Sequence, residues 1–220
     1  MEMGTQNAGD DCNKVLLLHG IWMTGFEMGR LKSRLSREGF EVDFFRYPSL
    51  TGTPAENAER LDRYIRQKNY RCLHLVAHSL GGLVLLNLFD RFPRQPPGRV
   101  VLLGSPVQGS VVARRLVGRP WTRPLIGRAA VQGLVDGAPS WQGGRPLGVI
   151  AGTSGLGVGR LLGGLSGASD GTVLVSETTV DRGADTRLHR VGHMGLLFSS
   201  RVAIDVAAFL RTGAFPLQSS

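Results

Sequence analysis

Short apolar segments recur along the chain, and polar, glycine-marked stretches separate them. Val15 to Leu18 is an unbroken apolar run closed by His19-Gly20, the pattern of a strand buried on both faces. Further strands are predicted over Glu41 to Tyr47, Cys72 to His78, Val100 to Leu103, Leu147 to Ala151 and Arg187 to Val191. Between them the period changes to that of a helix. Phe26, Leu31 and Leu35 predict one apolar helix face ended by Gly39. Thr53-Pro54 opens a second helix with a cap residue and a proline, and Ala58, Leu61 and Ile65 mark its buried side. The run from Leu80 to Phe89 is apolar almost all round, so that helix belongs in the interior. A last helix is predicted over Gly195 to Leu210, with Leu196, Leu197, Ile204, Ala207 and Leu210 inward. Strands alternating with helices imply an α/β fold of about six mostly parallel strands, covered on both faces.

The chain of 220 residues suits one domain, expected over 14–215, with a polar tail at 1–13 and a short one at 216–220. Residues 106–146 interrupt the alternation. They carry Trp121 and Trp141, six arginines and apolar pairs at helical spacing, and are expected as short helices forming a lid or cap over the sheet's C-terminal edge. Eleven of the 31 glycines lie between Gly143 and Gly171, which predicts a long loop there.

The net charge of +9 comes mainly from arginine, densest between Arg114 and Arg128. Elsewhere the basic residues are scattered, so nucleic acid is not expected as a partner. A solvated basic surface, or attraction to anionic lipid surfaces or acidic substrates, fits better. Neither a signal peptide nor a membrane span is legible, and the cytoplasm is the expected compartment. The only cysteines, Cys12 and Cys72, lie seven residues before His19 and Ser79. Parallel neighbouring strands would permit a bridge between them, but two reduced thiols are expected.

Candidate chemistry centres on Ala77-His78-Ser79-Leu80-Gly81, where the third strand gives way to a helix with no loop between. The residues two before and two after the serine must be small for so sharp a turn, which holds the serine exposed as a nucleophile. Serine needs an adjacent base, and the base needs a carboxylate to orient it. Of the five histidines, His193 sits just past the last strand, on the rim where Ser79 lies. His19 is expected to brace a loop, and His189 lies too deep in its strand. Asp170, after the fifth strand and the glycine-rich loop, is the expected acid, with Asp136, Asp181 and Asp185 as rivals. The N–H groups of Leu80 and Ile21, with Trp22 next in line, are the candidate oxyanion donors. Trp22, His78, Met194 and Trp121 are the expected substrate contacts. No metal and no other cofactor is expected.

Three segments resemble one family. They are Val15-Leu-Leu-Leu-His-Gly-Ile21, Leu75-Val-Ala-His-Ser-Leu-Gly-Gly82 and Leu188-His-Arg-Val-Gly-His-Met-Gly-Leu-Leu-Phe-Ser-Ser200, and they are similar to the small bacterial lipases. The resemblance implies a minimal α/β-hydrolase fold and carboxylic-ester hydrolysis through Ser79, Asp170 and His193. It also implies an oxyanion hole from Ile21 and Leu80. An acyltransferase or thioesterase with the same triad, or a non-catalytic binding protein on the same fold, are the alternatives. A small-molecule or lipid ester is the expected partner, with possible transient contact to a lipid surface.

Overall fold

The computed structural model describes residues 12–129, 133–155, 165–181 and 183–217. Six strands form one sheet: β1 (Lys14–Leu18), β2 (Glu41–Phe45), β3 (His74–His78), β4 (Val100–Leu103), β5 (Leu147–Gly152) and β6 (Ala184–His189). Their order is β2-β1-β3-β4-β5-β6, and every neighbouring pair runs parallel. All strand C-termini therefore reach one edge, and the loops that leave that edge can converge on a site.

Alternation along the strands decides which helix packs on which face. Leu16, Leu18, Leu75, Ala77, Val100 and Leu102 share one core with α2 (Pro54–Lys68) and α3 (Leu80–Arg91). Val15, Leu17, Val76, Val101 and Leu103 share the other with α1 (Gly29–Arg37) and two C-terminal helices, α6 (Gly195–Phe198) and α7 (Ser200–Thr212). Thr53 caps α2 as its sequence predicts: its hydroxyl accepts from Glu56 N–H while the Glu56 carboxylate accepts from Thr53 N–H.

Three expectations are corrected. Phe26 is 83% exposed, and Met28 takes the inward position ahead of Leu31 and Leu35. The last helix is two, because Ser199 leaves helical geometry and caps α7 through Val202 N–H. That break turns the helix, so that Val202, Ala203, Val206 and Phe209 face inward and Ile204 is 57% exposed. Cys12 and Cys72, expected as thiols, form a disulfide with a Cα–Cα separation of 5.6 Å. They flank the starts of β1 and β3, whose pairing of Val15 with His74 brings the two chain segments together.

Of the expected insertion, α4 (Val111–Val117) and α5 (Arg123–Ala129) are described, and both follow the C-terminal end of β4. The expected glycine-rich loop lies outside the described residues over 156–164, and the N-terminal tail lies outside them over 1–11. Among the described residues no helix is long and apolar enough to cross a membrane.

Candidate active site

Ser79 joins β3 to α3 with φ 53° and ψ −120°, a backbone state that bulky L-residues avoid at a cost of about 1–3 kcal/mol. Its N–H is held by the carbonyl of Leu103 at 2.9 Å. The requirement for a small residue at 81 is visible as distance: a Cβ there would stand 2.8 Å from the carbonyl oxygens of both Leu18 and His19. The hydroxyl thus sits where β1, β3 and β4 end together.

Asp170 and His193 arrive from the loops after β5 and β6. His193 Nδ1 lies 2.6 Å from Asp170 Oδ2, and the His193 N–H donates to the Asp170 carbonyl at 2.9 Å. The other carboxylate oxygen accepts from the N–H groups of Thr172 and Val173, at 2.9 and 2.7 Å. The acid is 1% exposed, so these donors and the imidazole replace the water it has lost. Room for the pair depends on Gly104, at the end of β4, with φ 55°. A Cβ at that residue would lie 3.0 Å from Asp170 Oδ2 and 3.2 Å from His193 Nδ1. Among the described residues Ser79 Oγ has no hydrogen-bond partner.

His78 does not meet the expectation of a substrate contact. It is 1% exposed, and its ring packs against that of His193 with centroids 4.5 Å apart. Nε2–H donates to the His193 carbonyl at 3.2 Å, while Nδ1 is buried with no partner among the described residues. Burial, and next the nearby His193, hold this imidazole well below its ordinary pKa, so it stays neutral. His78 therefore fixes the backbone of the residue beside it. His19 braces the loop after β1 as expected. Its Nδ1 lies 2.8 Å from the Gly20 carbonyl, and its ring stacks on Tyr47 at 4.3 Å. His189 pairs with Asp205 at 2.8 Å, away from Ser79.

A pocket of about 440 Å³, counting its solvent-filled mouth, opens at Ser79. Its walls are mostly apolar: Ile21 and Trp22 from the loop after β1, Val112, Leu116 and Ile126 from α4 and α5, and Leu134. The N–H of Ile21 and the first N–H of α3, that of Leu80, are not taken up by a carbonyl among the described residues. Trp22 has φ 61°, and its indole N–H donates to the Leu125 carbonyl of α5 at 2.6 Å. Trp121 and Met194, expected at the substrate, are exposed and do not line this pocket. Residue 121 sits in the turn between α4 and α5, where its side chain points away from the domain.

Sequence reasoning missed Gly104, the amides of Thr172 and Val173, and the Val112-Leu116-Ile126 wall. The Asp170-Gly171-Thr172 turn was a usable signal for the amides. The wall falls among the apolar pairs of 106–146 that predicted a cap, whereas nothing local announced Gly104.

The sequence pattern of the Alpha/beta hydrolase family matches residues 15–216. No curated protein matches the chain by sequence. Among solved structures, the mature Bacillus licheniformis lipase BlEst2 is similar with a TM-score of 0.70 at 16% identity, covering 92% of this chain and 92% of that one. Phospholipase PlaB from Legionella pneumophila, in complex with thio-NAD, gives 0.71 at 15% identity over 91% of this chain and 58% of the other. Carboxylesterase CesB from Bacillus subtilis gives 0.60 at 15% identity over 92% and 85%. At these identities the likeness is one of fold.

Proposed function

The chain belongs to the alpha/beta hydrolase family, and on that footing we propose that it is a serine hydrolase of carboxylic esters. The observation that carries this reading is the 2.6 Å contact between His193 Nδ1 and Asp170 Oδ2, beside a serine in strained backbone. With Nδ1 engaged, Nε2 of His193 is the nitrogen left to take the Ser79 proton. Ser79 Oγ then attacks the ester carbonyl, and the carbonyl oxygen becomes an anion met by the N–H groups of Leu80 and Ile21. His193 returns the proton to the departing alcohol, leaving an acyl-enzyme. Water, deprotonated by the same imidazole, releases the acid. Asp170, held in place by two amide donors, stabilises the imidazolium that forms in each half. Lipid-like acyl esters are the substrate class that suits the apolar walls, and the segment after β4 acts as the cap that supplies Val112, Leu116, Ile126 and Leu134 to them.

A fluorophosphonate probe and p-nitrophenyl esters test this together. The wild-type chain labels at Ser79 and turns over the ester, while Ser79→Ala folds and does neither. Labelling elsewhere, or an unreactive wild type, would reject the reading.

A further inference from the structure

The stretch from Val111 to Ala129 holds five arginines and no aspartate or glutamate. In the structure it is a pair of short helices with two unlike sides. Val112, Leu116 and Ile126 line the Ser79 pocket. The turn between the helices presents Arg119, Pro120 and Trp121 to solvent, and Leu125 is exposed just beyond it. Trp121 is 76% exposed.

Two more exposed apolar side chains stand beside this tip, and hydrogen bonds fix them there. Trp22 donates its indole N–H to Leu125 O, and Leu50 O accepts from Arg128 N–H at 2.8 Å. All three segments leave the C-terminal edge of the sheet, so the patch borders the mouth of the pocket. Glu56 offsets the charge of Arg128 at 2.6 Å, and the tip itself carries Arg119. Single exposed hydrophobic residues are ordinary, but two indoles and two leucines gathered among arginines are not. Indoles favour a boundary that is apolar on one side and wet on the other. Arginines near an anionic membrane are drawn to its surface.

We propose that the α4–α5 tip docks this protein on anionic lipid surfaces. Arg119 meets a headgroup phosphate, and Trp121 and Leu125 enter the headgroup boundary. The pocket mouth then faces the lipid. Docking stands apart from ester hydrolysis: it concerns an outward surface and needs no working triad.

The test is sedimentation of the full chain with vesicles of ether-linked phospholipid, which has no carboxylic ester to cleave. Vesicles containing phosphatidylglycerol should bind at least about tenfold more tightly than pure phosphatidylcholine, since each arginine near the surface adds attraction. Binding should be lost near 1 M salt, where screening acts within about 3 Å. Arg119→Glu and Trp121→Ala should each weaken it about tenfold, while Arg119→Glu leaves turnover of a soluble ester unchanged. Equal binding to both vesicles, no binding to either, or undiminished binding by both variants would overturn the proposal. A wild type that binds vesicles yet hydrolyses no ester would sink the enzymatic reading and leave the docking surface standing.

Discussion

Removing the Cys12–Cys72 bridge should cost stability and spare the site. The two cysteines are 60 residues apart in sequence, and the bridge closes that whole loop in the unfolded chain. Chain entropy for a loop of this length is worth about 4 kcal/mol at 25 °C. In a chain of this size that corresponds to a melting temperature lower by about 8–16 °C. The bridge ties the starts of β1 and β3, while Ser79 follows the far end of β3. Seven residues separate Cys72 from Ser79, roughly 23 Å at strand spacing. Thiol titration of the native chain should find no free cysteine among the described residues. The Cys12→Ser, Cys72→Ser double variant, followed by circular dichroism in urea, should lose the stated stability. Its ester turnover, measured well below its own melting point, should match wild type. A loss below about 1 kcal/mol would refute the entropic account. A folded double variant with lower kcat would refute the separation of bridge from site.

Asp170→Asn should fold normally and lower kcat by about 10⁴, because the imidazole loses the partner that sets its tautomer; Asp136→Asn should change little, and the opposite ranking would reassign the acid. His78→Phe keeps a ring beside His193 but loses the donor to its carbonyl, so kcat should fall about tenfold with KM unchanged, the worth of one hydrogen bond. His78→Gln retains an N–H and should recover most of the rate; equal losses in both variants would rule out that hydrogen bond as the cause. Acid should destabilise the fold before carboxylates titrate. His74 is buried, and that burial lowers its pKa to about 4. The unfolded chain therefore binds a proton that the folded one refuses, and stability drops as pH falls from about 6.5 towards 4, by up to about 3 kcal/mol for this residue. A urea midpoint that stays flat over that window would contradict it.

The strands and the elbow were legible because each is a local pattern. A strand buried on both faces must be apolar throughout, and a nucleophile elbow must have small residues at fixed offsets. Asp170 and His193 could be singled out because a parallel sheet delivers its loops to one edge, so position after a strand stands for position in space. What the sequence hid is non-local or decided by one hydrogen bond. Ile204 has the right spacing for an inward face, yet the Ser199 cap rotates the helix. His78 adjoins Ser79 in sequence, but its surroundings are set by His193, 115 residues away. The pairing of the cysteines follows from the register of β1 on β3, which composition does not reveal. Trp121 suggested a pocket wall because indoles so often serve as one, whereas a turn between two short helices points it outward.

The bond from the Trp22 indole to Leu125 spans 103 residues and joins the surface helix α5 to the backbone next to Ile21. The same bond ties that outward helix to the loop that carries Ile21, beside Ser79. If that helix settles on a lipid surface, the intrinsic fluorescence of residue 22, whose indole is tied to it, should change on adsorption.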